Sequence, residues 1–185
     1  PGESTGYLPY LNDRQVLERA TLSYGYGLSV TPLQLAQSYL ALANDGVLSP
    51  VSLIQQSEAG KPVRVMPAEV ARDVRQMMET VISVKGTGRR AAVQGYKVAG
   101  KTGTVHKVGK GGYIDDQYLS FFAGIAPATN PRLVTVVMVD NPKGQEYYGG
   151  EVAAPVFSRA VGGALRLMNV PPDNWPEVNK QIVQR

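Results

Sequence analysis

The stretch Tyr96-Lys97-Val98-Ala99-Gly100-Lys101-Thr102-Gly103-Thr104 marks a change of pattern in this chain. Upstream, apolar residues recur at helical intervals. Here Tyr96, Val98, Val105 and Val108 are spaced for extended backbone around a Gly-Lys-Thr-Gly core, and Lys107 to Gly112 forms a Gly/Lys-rich turn. Tyr118 to Ile125 and Leu133 to Val139 are two further extended apolar runs. Pro127-Ala128-Thr129-Asn130-Pro131 separates them, and its prolines stop pairing and turn the chain. Successive strands with short connections predict an antiparallel meander. Ala154 to Met168 then reads as a helix that packs on the sheet through Val156, Phe157, Ala160, Ala164, Leu165 and Met168.

Working outward towards the N-terminus, Thr31-Pro32-Leu33-Gln34 combines a capping hydroxyl, a proline at the first helical position and a Gln three residues after the cap. It predicts a helix from Pro32 to Asn44 with Leu33, Ala36, Leu40 and Ala43 on the core face and Asn44-Asp45-Gly46 as the stop. Val47 to Val65 reads as loops or a small hairpin. Pro67 opens another helix whose apolar stripe is Val70, Val74, Met77, Met78 and Val81, ended by Gly86-Thr87-Gly88. A short helix is expected within Asp13–Leu22, after a turn-rich opening. Helices followed by an antiparallel sheet under a terminal helix make an α+β plan. Residues 1–170 read as one structural unit and 171–185, with two prolines and Trp175, as a mobile tail.

Composition narrows the function. The chain has 185 residues with 43% hydrophobic and 18% charged, enough for one buried core. Its net charge of +4 comes from Lys and Arg that are scattered along the chain, so nucleic acid is not an expected partner. There is no Cys and a single His, which removes disulfides, thiolate nucleophiles and Cys-based zinc sites and leaves little for any transition-metal site. No apolar run approaches the length of a membrane span. The opening Pro1-Gly2-Glu3-Ser4-Thr5-Gly6 reads as a loop inside a longer protein.

Lys101-Thr102-Gly103-Thr104 is the sharpest chemical signal. An ammonium and two short hydroxyls around a glycine, on a strand, suit an edge that receives an extended peptide and its carboxylate. The tripeptide alone is weak evidence, since Lys-[Ser/Thr]-Gly arises by chance in roughly one chain of this size in ten. Its surroundings carry more. Ser23-Tyr24-Gly25-Tyr26-Gly27-Leu28-Ser29-Val30-Thr31-Pro32, Gly86-Thr87-Gly88, Gly95 to Thr104, Tyr147-Tyr148-Gly149-Gly150 and Ala154-Pro155-Val156-Phe157 occur in one order and spacing. Together they resemble the transpeptidase domain of class B penicillin-binding proteins, of the division-specific FtsI type of Gram-negative bacteria. The resemblance runs from Pro1 to about Pro172. Lys-Thr-Gly is the third motif of that serine acyl-enzyme class and Ser-x-x-Lys the first. No Ser here has Lys three positions later and no Ser-x-Asn occurs, so the nucleophile and the second motif are expected upstream of this chain.

The resemblance implies a penicillin-binding/serine β-lactamase-like fold and a peptidoglycan D,D-transpeptidase that works without a cofactor. In that family a serine is acylated by the penultimate D-Ala of a stem peptide, and β-lactams stall the acyl-enzyme. Lys101 would supply positive potential, and Thr102 and Thr104 would donate to the substrate carboxylate. Gly103 would keep the strand open for the peptide, and the Thr104 N–H would serve the oxyanion. Tyr26, Tyr147 and Tyr148 would wall the cleft, although Tyr24 and Tyr26 read equally well as half-buried core aromatics. His106, two residues beyond Thr104, is aimed to the same side of the strand, where relatives often carry Arg or Lys; its alternative is a surface histidine without a role. Expected partners are stem peptides, β-lactams and division-machinery membrane proteins including a septal glycan polymerase, at the periplasmic face of a Gram-negative inner membrane. A β-lactamase or β-lactam sensor shares Lys-Thr-Gly, and a non-catalytic peptide-binding module could use the same strand by strand addition.

Overall fold

The computed structural model describes residues 4–58, 60–109 and 112–174. In chain order it contains α1 (Val16–Leu22), α2 (Pro32–Ala43), β1 (Val47–Leu48), β2 (Val63–Arg64), α3 (Ala68–Glu79), β3 (Ala99–Gly109), β4 (Gly112–Ala126), β5 (Leu133–Asp140), α4 (Gly149–Val152) and α5 (Ala154–Leu167). Strands β3, β4 and β5 pair antiparallel in sequence order, so the expected α+β meander forms. Pairing continues to Gly109 opposite Gly112, beyond the expected start of the turn. Lys107 therefore lies in β3, where its ammonium meets Asp140 at 2.7 Å. Lys110 and Gly111 lie outside the described residues. Val47 to Val65 is the small hairpin, closed by β1 and β2.

The sheet is covered on both faces. Phe122, Val137 and Val139 meet Phe157, Val161 and Leu165 of α5 on one side, with Phe122 and Phe157 edge to face at 4.8 Å between centroids. Ala99, Ile125 and Val134 meet Tyr39, Leu42 and Ala43 of α2 and Met78 of α3 on the other. Burial on both faces explains why the inner half of β4, Phe121 to Ala126, is a continuous apolar run instead of an alternating one. Among the described residues no helix is long and apolar enough to cross a membrane.

Helix starts follow the sequence, whereas some faces do not. Thr31 and Gln34 form the expected reciprocal cap. In α2, however, Leu33 is exposed, while Tyr39 and Leu42 join Ala43 in packing. The helix is apolar on most of its circumference, so spacing could not select the buried stripe. In α3, Val70 and Met77 face out, and the inward face carries Ala71, Arg75 and Met78. In α5 the buried line is Phe157, Val161 and Leu165, and Val156 and Met168 are exposed. The segment from Pro171, expected to be mobile, is hydrogen-bonded through Asn174. Asp173 accepts from the Lys97 N–H at 2.8 Å, and the Asn174 N–H donates to the Gly95 carbonyl. Trp175 and the rest of that tail lie outside the described residues.

Arg75 is buried because the turn after α2 supplies its partners. Its guanidinium donates to the Leu42 carbonyl at 2.7 Å and to Asp45 at 3.2 Å, while Arg72 reaches the other Asp45 oxygen at 3.0 Å. Desolvation pushes the Asp45 carboxyl up, but the hydrogen bonds and charges of Arg72 and Arg75 outweigh it and hold the carboxyl below its ordinary value of 3.8. A lowered folded-state value means that the stabilisation is present above the unfolded value and is lost as pH falls through the folded one. Asp45 has φ of 50°, a conformation Asn tolerates well, so Asp45→Asn isolates the charge. It should lower stability by about 1 kcal/mol at neutral pH. The difference from the parent should vanish in the acid limb of denaturant unfolding curves, below the carboxylate range.

Candidate active site

Strand β3 is an edge: among the described residues it pairs with β4 and with no other strand. Alternate amides and carbonyls along it therefore point away from the sheet. Lys101, Thr102, Gly103 and Thr104 occupy the inner half of this edge. The Lys101 side chain is exposed, its Nζ donates to the Thr102 carbonyl at 2.9 Å, and no ion pair among the described residues includes it. The result is an ammonium with no carboxylate partner beside an open strand edge.

Thr102 and Thr104, two positions apart, project to the α5 side of the sheet. There two loops meet them. The Gly149 N–H donates to Thr104 Oγ1 at 3.0 Å, and Thr87 Oγ1 lies 2.9 Å from Thr102 Oγ1. An amide can only donate, so Thr104 is held as acceptor from inside the protein and keeps its own proton for an outside acceptor. The fully buried Ser120, opposite Thr104 on β4, donates its hydroxyl to the Tyr147 carbonyl and fixes the loop that carries Gly149. The approach is close enough to require glycine. A Cβ on Gly149 would lie 2.3 Å from the Phe121 carbonyl oxygen and 2.4 Å from that of Gly103, both of them backbone atoms.

Gly103 has a packing reason as well as the expected one. A Cβ there would sit 2.0 Å from an atom of the Phe121 ring, so the strand lacks a side chain because Phe121 fills the space on the α2 side. That side holds an apolar cavity of about 230 Å³ whose lining includes Leu28, Val30, Leu35, Val105, Phe121 and Met138.

The aromatic residues form two groups. Tyr118 stacks on Tyr147 with centroids 4.1 Å apart and 13° between planes, Tyr147 contacts Tyr148 at 4.5 Å, and His106 lies 4.5 Å from Tyr118 on the other side. His106, Tyr147 and Tyr148 are thus joined through Tyr118, on the Thr104 side as alternation required. The Tyr147 and Tyr148 hydroxyls are hydrogen-bonded as well, 3.2 Å apart, and with the proton on Tyr148 as the donor, ionisation would forfeit that bond, which raises the Tyr148 pKa. Tyr26 meets these rings only at the His106 end, through Tyr113. It is half exposed and Tyr24 largely exposed, so neither is a core residue among the described residues, and the Tyr26 hydroxyl contacts that of Tyr113, whose pKa it raises. Tyr113 in turn lies 5.7 Å from His106.

Reading the sequence did not give roles to Thr87, Ser120, Tyr118 or Gly149. Ser120 left a trace, as the lone hydroxyl inside the apolar run Tyr118 to Ile125, and Thr87 was visible only as the centre of a Gly-Thr-Gly turn. Their partners lie 15 and 27 residues away, which no local pattern encodes.

The arrangement can be compared with known proteins. Residues 1–162 match the family model described as "Penicillin binding protein transpeptidase domain". The chain is 45% identical over 173 residues to the peptidoglycan D,D-transpeptidase FtsI of Buchnera aphidicola subsp. Schizaphis graminum, covering 94% of this chain and 30% of that protein. It is 44% identical over 172 residues to FtsI of Escherichia coli K12, covering 93% and 29%. The apo structure of the TP domain of Burkholderia pseudomallei penicillin-binding protein 3 superposes with a TM-score of 0.86 at 46% identity, covering 95% of this chain and 54% of that one. The chain therefore spans about a third of the FtsI relatives and about half of that solved domain. With the antiparallel sheet, its helical cover and the Lys-Thr-Gly edge strand all in place, this chain belongs to the penicillin-binding-protein transpeptidase domain family.

Proposed function

We propose that this chain is the substrate-binding half of a serine-type peptidoglycan D,D-transpeptidase, acting in septal cross-linking at the periplasmic face of a Gram-negative inner membrane. The single observation that carries the reading is Lys101, without a carboxylate partner among the described residues, on the same open strand edge as the internally supported Thr102 and Thr104 hydroxyls. The relatives' name, peptidoglycan D,D-transpeptidase, supports the reaction with peptidoglycan as substrate; the septal setting, β-lactams as inhibitors and a membrane-bound division apparatus with its glycan polymerase as partners belong to the same proposal.

In this reading a serine outside these 185 residues attacks the carbonyl of the penultimate D-Ala. The C–N bond to the terminal D-Ala breaks, that D-Ala leaves as the amine, and an amine of a second stem peptide then displaces the serine oxygen to complete the cross-link. Lys101 supplies positive potential to the developing charge and the terminal carboxylate. Thr104 donates to that carboxylate with the proton that its bond from Gly149 leaves free. Thr102 is the second carboxylate donor, and the Thr104 N–H, at the strand edge, serves the oxyanion. Gly103 lets the peptide backbone run alongside. His106, Tyr147 and Tyr148 wall the α5 side of the groove and Tyr26 its far end.

Fluorescent penicillin should label the longer protein that contains this chain and should not label the 185 residues alone. Covalent labelling of the isolated chain would place the nucleophile inside it and overturn the assignment. Lys101→Ala in the longer protein should slow acylation by about 10²–10³-fold, read from stopped-flow or gel-based labelling kinetics, as for loss of one preorganised electrostatic donor. Gly149→Ala should displace the 147–149 loop from β3 and give a comparable acylation defect together with a loss of about 1–3 kcal/mol in stability. A variant that folds and acylates like the parent would show that this close approach is dispensable.

A further inference from the structure

The two threonines of the edge strand have different internal supports, and only one has been accounted for. Thr104 receives a backbone amide. Thr102 meets the Thr87 hydroxyl at 2.9 Å, where either oxygen can be the donor. The direction is set by what lies outside. A carboxylate has no proton to give, so a Thr102 that binds one must donate to it and is left with lone pairs to be satisfied from within. Thr87 is then required as the donor to Thr102.

Thr87 is well placed to hold this direction. Its turn is pinned by two backbone hydrogen bonds of 2.9 Å, Gly86 N–H to Ser83 and Gly88 N–H to Val81. Its carbonyl packs so tightly on Gly150 that a Cβ there would lie 2.0 Å from it, and the same Cβ would lie 3.5 Å from the Thr102 methyl. The loop that delivers Gly149 to Thr104 thus also buttresses Thr87 against Thr102. The geometry points to Thr87 as a positioning residue that orients the Thr102 hydroxyl towards a ligand carboxylate, in the relay Thr87 O–H to Thr102 O–H to carboxylate. Each donor in such a chain polarises the next, so the terminal bond to the anion is strengthened by the first. This relay rests on the proposed acyl-transfer reading, in which Thr102 is a carboxylate donor.

The test uses the longer protein that contains this chain and two ligands, a penicillin with its free carboxylate and the same penicillin as its carboxamide. Thr87→Val keeps the shape of the side chain and removes the donor. It should reduce the acylation rate with the carboxylate ligand by about tenfold. It should leave the carboxamide rate within about twofold of the parent, since a neutral amide can supply its own donor to Thr102. Thr87→Ser should restore most of the carboxylate rate, and Thr87→Ala should repeat the selective loss if valine perturbs the turn. Equal losses for both ligands, no loss for either, or failure of Thr87→Ser to restore the rate would each overturn the relay. A parent protein acylated by neither ligand would instead overturn the acyl-serine reading beneath it.

Discussion

Strand β4 is the constraint from which the rest of the structure follows. It pairs with β3 along one side and β5 along the other, and its inner half is buried by α5 on one face and by α2 and α3 on the opposite one. A strand fixed on four sides cannot shift register, because a slip by one residue would turn Phe122 out of the α5 core and Ser120 away from Tyr147. The position of every group on β3 is therefore inherited from β4. Thr104 faces Ser120, Thr102 faces Phe122 and Gly103 faces Phe121.

The inherited geometry separates two tasks that share one strand. On the α2 side, Gly103 and Phe121 solve a packing problem. On the α5 side, the threonine hydroxyls meet polar groups from two loops, and the open edge between the faces presents Lys101. Such a division lets a motif of four residues be both anchored and open. The anchoring groups reach it from within the fold, and among the described residues no strand pairs with its outer edge. An exposed strand edge is ordinarily a liability for aggregation. Here the charge of Lys101 at that edge opposes pairing with another chain's backbone.

The core far from this edge is stabilised by a different kind of interaction. Arg75 enters the α3 interface as a buried charge because Asp45 and the Leu42 carbonyl are waiting for it. Sequence periodicity placed the stripe on Val70, Val74, Met77, Met78 and Val81, of which Met78 packs inward while Val70 and Met77 are exposed. The guanidinium is tolerated inside only because the turn after α2 presents an acceptor on each side.

Local chemistry was enough for much of this protein. The reciprocal cap of Thr31 and Gln34, the order of three strands, the helix that covers them and the Lys-Thr-Gly strand are all short-range signals, since caps, alternation and turns involve residues close in the chain. The α+β plan followed from them, while the family came from the resemblance of five separate segments in one order, and that resemblance implied the roles proposed for Lys101, Thr102 and Thr104. Tertiary structure decided everything that depends on which segments meet: the buried stripes of α2 and α3, the ring of Phe121 over Gly103, the linking of His106 to Tyr147 and Tyr148 through Tyr118, and the meeting of Tyr26 with those rings only at the His106 end. It also decided the supports of the two threonines, Gly149 for one and Thr87 for the other. A hydroxyl's partner is chosen by three-dimensional proximity within about 3 Å, and a sequence records only that a hydroxyl is there.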